Sequence, residues 1–202
     1  MNIARILYPI RVLGPGNRVG VWFCGCCRHC SGCSNPELWS QDPKNEITVS
    51  RLFNLIRQIS ISNPIDGFTL SGGEPLEQSN ALSELLPFLA QISPDILIYT
   101  GFTLDELRKK QNKAIQNILS HTAVLIDGSY DEARNDGCIL RGSSNQTIHI
   151  LNPYYRARYQ QYLSEQNRNQ IQNFTTPSGI ISVGIHHRGF SKPESRKGKN
   201  HE

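Results

Sequence analysis

Apolar positions along this chain follow two rhythms. Some form short unbroken blocks that end in glycine or a polar turn; others recur at helical spacing. Residues 18–23 (RVGVWF) read as a strand that runs directly into a cysteine-rich stretch. Residues 48–60 put Val49, Leu52, Phe53, Ile56 and Ile59 on one helical face. A second strand, 67–71 (GFTLS), stops at Gly72-Gly73, and 76–92 forms a helix with a kink expected at Pro87. The third strand, 96–100 (ILIYT), leads to Thr103, a helix cap with Glu106 in the capping-box position. Residues 123–126 (AVLI) and 148–151 supply two more strands. Asn152-Pro153 then opens an extended helix over 153–174, and 179–185 is a last strand.

Strands alternating with helices predict parallel βαβ units, hence an α/β fold with mostly parallel strands. In such folds the carboxyl ends of the strands form the active edge. The residues with chemical potential lie just after strands here: the cysteines, Gly72 to Pro75, Gly101 and Asp127. The motifs are therefore expected to meet on one rim.

A length of 202 residues allows one domain with a sizeable core and is too short for two. We assign 1–190 to that domain. Residues 191–202, with Lys192, Arg196, Lys197 and Lys199, read as a polar, basic, disordered tail. A net charge of +4, with basic residues scattered outside the tail, falls short of a nucleic-acid-binding signature. No apolar run reaches the roughly 18 residues that a membrane span needs. Arg5, Pro9, Arg11, Pro15 and Arg18 interrupt any signal-peptide core, so a cytoplasmic location is expected. Free thiols persist there. Of six cysteines, five fall between Cys24 and Cys33, which points to metal or redox chemistry, since a disulfide framework would spread them out.

The run Cys24-Gly25-Cys26-Cys27-Arg28-His29-Cys30-Ser31-Gly32-Cys33 supports two registers. Cys26, Cys30 and Cys33 give C-x3-C-x2-C, whose three thiolates leave one cluster iron open to a ligand. Cys24, Cys27, Cys30 and Cys33 give C-x2-C-x2-C-x2-C, close to the ferredoxin run that saturates the iron and only passes electrons. The three-cysteine register is favoured for four reasons. The ferredoxin spacing fails at its last step, no proline follows Cys33, Cys138 is the sole further cysteine, and a glycine-rich turn follows the next strand. A zinc ribbon would need a second C-x2-C pair, which the sequence lacks.

Cys26-x3-Cys30-x2-Cys33, followed by Thr69-Leu70-Ser71-Gly72-Gly73-Glu74-Pro75, resembles the radical S-adenosylmethionine (SAM) superfamily. Cys30-Ser31-Gly32-Cys33-Ser34-Asn35, Tyr99 to Thr103, Val124 to Gly128 and Arg141 to Gln146 are similar to the activating proteins of anaerobic ribonucleotide reductase and related glycyl-radical activases. The resemblance implies a single-domain partial (β/α) barrel holding a 4Fe–4S cluster on Cys26, Cys30 and Cys33. It implies SAM bound at the open iron and cleaved by one electron to a 5′-deoxyadenosyl radical. That radical would take a hydrogen atom from a glycine of a partner enzyme, anaerobic ribonucleotide reductase being the best single candidate, with a flavodoxin or ferredoxin as electron donor. The alternatives are a radical SAM enzyme acting on a peptide or small molecule, and a ferredoxin-like carrier.

The resemblance also suggests SAM contacts. Ser71, Gly72, Gly73, Glu74 and Pro75 would form a turn that meets the ammonium group, Glu74 either fixing the turn or assisting there. Thr100 and Gly101 would let adenosine approach. Asp127 would face the ribose or form a plain Asp-Gly turn. Arg141, Ser143 and Asn145 would line the cavity or simply hold their own loop together. His29 could reach a cluster sulfide or sit at the surface. Cys24 and Cys27 read as inert thiols, Cys138 as an ordinary one, and His186-His187 as a departure that shapes the rim or contacts a partner.

Overall fold

The structure is a computed structural model that describes residues 1–165, 170–177 and 179–189. Its elements in chain order begin with β1 (Ile3–Ile10), β2 (Arg18–Phe23), α1 (Val49–Ser62), β3 (Gly67–Gly72), α2 (Ser79–Ile92) and β4 (Ile96–Tyr99). They continue with α3 (Leu104–Lys109), α4 (Lys113–His121), β5 (Val124–Asp127), β6 (Thr147–Ile150), α5 (Arg156–Glu165), β7 (Ile171–Thr176) and β8 (Gly179–Gly184).

Six strands form one sheet in sequence order, β1 to β6. Strands β2 to β5 are parallel, while β1 and β6 run antiparallel at the two edges. The expected α/β architecture with mostly parallel strands is thus present, bordered by antiparallel edges. β7 and β8 form a separate antiparallel hairpin.

The two sheet faces bury different sets of residues. Val21, Leu70, Ile98 and Leu125 join Leu52 and Ile56 of α1, Leu82, Leu85 and Leu89 of α2, and Ile115 and Ile118 of α4 in the main core. On the opposite face, Leu97, Val124 and Ile126 pack against Tyr155 and Tyr159, while Trp22 and Ile10 pack against Val183 of β8. Burial of these side chains, at about 25 cal/mol per Å² of apolar surface, is what holds helices and hairpin to the sheet.

Several local expectations hold. Thr103 and Glu106 make the full capping box, and Asn152 accepts from the amide of Tyr154. Others are corrected. The helix expected over 153–174 ends at Glu165, and Ile171 onward is a strand. The helix expected from residue 76 begins as a 3₁₀ turn, Pro75–Gln78, before α2. β1, α4 and β7 were not anticipated. The expected tail over 191–202 lies outside the described residues. No helix among the described residues is long and apolar enough to cross a membrane.

Candidate active site

Parallel pairing of Phe23 with Gly72, and of Tyr99 with Ile126, aligns the carboxyl ends of β2 to β5 on one edge. There a cleft is lined by Cys26, Arg28, Cys30, Cys33, Trp39, Ser71, Gly72, Gly73, Glu74, Tyr99, Thr100, Gly101, Gly128, Tyr130 and Gln146. The cysteine loop and the glycine-rich turn, forty residues apart in sequence, form facing walls.

The fold sorts the cysteines. Cys26, Cys30 and Cys33 line the cleft, and all six are free thiols. Cys24 is buried in the small core with Trp22, Leu38 and Val183, and its sulfur accepts from Asn45 Nδ2 at 3.4 Å. Burial pushes its thiol pKa up. Cys27 is exposed, its amide donates to Glu77 Oε1 at 2.8 Å, and neither it nor Cys24 borders the cleft. The four-cysteine register therefore brings only Cys30 and Cys33 to the cavity.

The surroundings of the three thiols suit a cluster. Burial pushes the Cys26 thiol up, while the backbone N–H groups of Arg28 and His29 pull it down. The amide of Asn35 donates to Cys33 Sγ at 3.4 Å. Amide donors of this kind stabilise anionic sulfur and tune cluster potential. The indole Nε1 of Trp39, whose side chain borders the cleft, is buried without an acceptor among the described residues. Among the described residues no group of three His, Cys, Asp or Glu closes to the spacing of one metal ion.

The glycine-rich turn is shaped first by the chain itself. A Cβ on Gly72, at φ 108°, would collide with the backbone of Phe23, and one on Gly73 with the carbonyl of Gly25. The amides of Gly73 and Glu74 donate to the carbonyls of Phe23 (2.8 Å) and Gly25 (2.7 Å). These glycines thus let the turn lie flat against the start of the cysteine loop, a close backbone approach that a side chain would block.

Glu74 is engaged by the chain itself. Its buried carboxylate accepts from the amides of Leu76 (3.0 Å) and Gly101 (2.7 Å) and from Thr100 Oγ1 (2.9 Å). It joins the ends of β3 and β4. Burial raises its pKa, and those three donors pull the other way.

The remaining predicted residues divide. Ser71, Thr100 and Gly101 line the cleft; Pro75, Asp127, Arg141, Ser143 and Asn145 do not. Asp127 accepts from the amides of Leu104 (2.7 Å) and Thr147 (3.2 Å) and lies 2.9 Å from His149 Nε2, so it braces α3 and β6. Arg141 binds Asp136 at 2.7 Å. Ser143 Oγ accepts from the amide of Asp131 at 3.2 Å, and Asn145 Nδ2 donates to Ser129 O at 2.8 Å. These bonds tie the loop to the neighbouring segment 129–136. Its contribution to the cleft is Gln146, which accepts from the amide of Gly142 (2.8 Å) and donates to Gly128 O (2.8 Å).

Sequence reasoning missed Arg28, Trp39, Tyr99, Tyr130 and Gln146 as cleft residues. Arg28 stacks on Phe102 at 4.1 Å, lies 3.6 Å from Glu106, and has its stem over Gly101. It ties the cysteine loop to the start of α3. His29, at φ 44°, faces Trp39 with ring centroids 4.7 Å apart. Aromatic and cationic residues around the cysteines were a visible signal, but only the fold shows which of them face inward.

Comparison with known proteins agrees with this site. Residues 12–149, which contain β2 to β5 and the cysteine loop, match the family model described as a 4Fe-4S single cluster domain, which places the chain in the single-cluster class of iron–sulfur proteins. The chain is 35% identical over 152 residues to the anaerobic ribonucleoside-triphosphate reductase-activating protein of Haemophilus influenzae, covering 70% of this chain and 94% of that one. The protein of that name from Escherichia coli is 32% identical over 154 residues, 71% of this chain and 96% of its own. A pyruvate formate-lyase-activating enzyme from Staphylococcus aureus is 31% identical over 144 residues, 69% of this chain and 56% of that enzyme. The chain belongs to the anaerobic ribonucleoside-triphosphate reductase-activating protein family.

Proposed function

We propose that this protein is a radical SAM activase that generates a glycyl radical on an anaerobic ribonucleotide reductase. In this reading Cys26, Cys30 and Cys33 hold a 4Fe–4S cluster, and the six-stranded sheet is the partial barrel of the radical SAM type. When bound, cluster and SAM supply one-electron cleavage of the sulfonium to a 5′-deoxyadenosyl radical, which abstracts hydrogen from the target glycine.

The chain's own residues then have defined tasks. Ser71, Gly72 and Gly73 form the wall opposite the cysteines, and Glu74 keeps that wall joined to Thr100 and Gly101. Tyr99 borders the cleft, and its hydroxyl donates to Leu140 O at 2.8 Å. Gly128 and Gln146 complete the side nearest β5 and β6. Pro75, Asp127, Arg141, Ser143 and Asn145 support these groups from behind. The observation that carries the reading is that the C-x3-C-x2-C thiols and the glycine-rich turn line one cleft while Cys24 is packed into the core. The reading places the protein in a reducing compartment such as the cytoplasm, served by a one-electron donor of the flavodoxin or ferredoxin kind.

The test is anaerobic reconstitution with iron and sulfide, reduction in the presence of SAM, and assay for 5′-deoxyadenosine and for a radical on added reductase. Release of 5′-deoxyadenosine with a glycyl radical signal on the reductase is expected. SAM cleavage without a radical on any reductase would redirect the activity to a peptide or small molecule.

A further inference from the structure

We infer that the indole N–H of Trp39 donates a hydrogen bond to the sulfur of the cluster and thereby sets the potential at which the cluster takes up its electron. The inference rests on one part of the reading above, a 4Fe–4S group on Cys26, Cys30 and Cys33, and is independent of what the radical acts on.

Trp39 is tied to both ends of the cysteine loop. Its carbonyl accepts from the amide of Cys26 at 2.9 Å, and the carbonyl of Leu38 accepts from the amide of Gly25 at 2.9 Å. A 3₁₀ turn, Pro36–Leu38, leads the chain there from Cys33, whose Sγ accepts from the amide of Asn35 at 3.4 Å. The Trp39 side chain borders the same cleft as Cys26, Cys30 and Cys33. The exposed ring of His29, between Cys26 and Cys30 in sequence, meets the indole at a tilt of 39° with centroids 4.7 Å apart. Backbone bonds and this ring contact hold the indole at the cysteine loop.

An indole N–H can only donate. Buried without an acceptor, such a donor costs about 1–3 kcal/mol, so a tryptophan held in this way usually has a partner. Trp39 Nε1 is buried and has none among the described residues. Glu74, the carboxylate that borders the cleft, is committed to Leu76, Gly101 and Thr100. The acceptor chemistry that the cysteine loop brings to this wall is anionic sulfur, from three thiolates and from the sulfides of the cluster they would hold.

A donor-only group suits the position for a second reason. It cannot ligate iron, so it leaves the open corner to SAM. A hydrogen bond to cluster sulfur stabilises the reduced, more negative state more than the oxidised one, and so raises the potential. Trp39 would in this way ease entry of the electron without touching the iron.

The test uses the reconstituted full chain without SAM, carrying tryptophan isotopically labelled at the indole nitrogen. Pulsed electron paramagnetic resonance of the reduced cluster is expected to show coupling to that nitrogen, and Trp39→Phe should abolish it. Trp22, packed in the core with Val183, stays labelled in both proteins. A second variant replaces Trp39 by benzothienylalanine, which keeps the ring shape and exchanges the N–H for sulfur. Each variant should lower the cluster's one-electron reduction constant about tenfold, a shift of about 59 mV to more negative potential. No coupling in the wild type, or an unchanged potential in the benzothienylalanine protein, overturns the inference while the activase reading stands; the N–H would then serve water or the cofactor. Coupling and shift as described in a cluster that ignores added SAM uphold the inference and overturn the activase reading. Wild-type protein that assembles no 4Fe–4S cluster overturns both.

Discussion

Glu74 is part of the glycine-rich turn that the sequence marked, but its carboxylate is spent on the chain's own donors. Glu74→Ala leaves the amides of Leu76 and Gly101 without their acceptor, which should lower unfolding free energy by about 1–3 kcal/mol. Because burial raises its folded pKa, its contribution to stability is complete below the ordinary glutamate pKa and is lost as pH rises through the raised value. Urea midpoints followed upward from about pH 4 should show that loss in the wild type and not in Glu74→Gln. Cysteine roles are separable in the same way. Cys24→Ala should keep the iron and sulfide content of reconstituted protein; Cys26→Ala should lose most of it. Spacing left two registers open, and the failed last ferredoxin step, the missing proline, the lack of a second cysteine set and the glycine-rich turn favoured Cys26, Cys30 and Cys33. Arg28 was not legible as a brace because its partners Phe102 and Glu106 are brought to it only by the β4–α3 turn. Arg28→Ala should therefore raise the SAM concentration required for half-maximal 5′-deoxyadenosine release while iron content holds.

Helices and parallel strands were read well because their apolar periodicity is strong: α1, β2, β3, β4 and β5 lie within a residue or two of expectation. The edges were harder. β1 carries Arg5 and Pro9, which look like breakers, yet an edge strand tolerates both because one side of it pairs with nothing in the sheet. β7 sets apolar Ile171 and Phe174 three apart among polar residues, a spacing that continued helical expectation past Glu165. α4 is short, and its Asn112 cap was overlooked. Sequence could not show what fixes α5 to the sheet either. Arg18, fully buried, lies 3.2 Å from Asp95, donates to Thr69 Oγ1 at 2.8 Å, and shares Asp95 with Tyr159 of α5, whose hydroxyl donates at 2.7 Å. Removing one partner of a buried pair strands the other charge. Arg18→Met should cost about 3–5 kcal/mol in chemical denaturation. Tyr159→Phe should cost less, about 1–3 kcal/mol, because Asp95 keeps Arg18 and Arg158.

The whole molecule is an open sheet whose strand ends gather a cysteine loop, a glycine-rich turn and two tyrosines, with a hairpin added beside them. Four parallel strands place the motifs on one edge, as their positions after strands implied. The hairpin's attachment to the sheet depends on contacts across more than a hundred residues, which no local pattern encodes. The central claim is that three thiolates leave one iron of the cluster free to bind SAM. Its most direct test is electron paramagnetic resonance of the reduced, reconstituted protein with and without SAM. The account predicts a 4Fe–4S signal whose shape changes on adding SAM, in the wild type and in Cys24→Ala alike. A signal that ignores SAM, or one that needs Cys24 for the cluster to form, would contradict it.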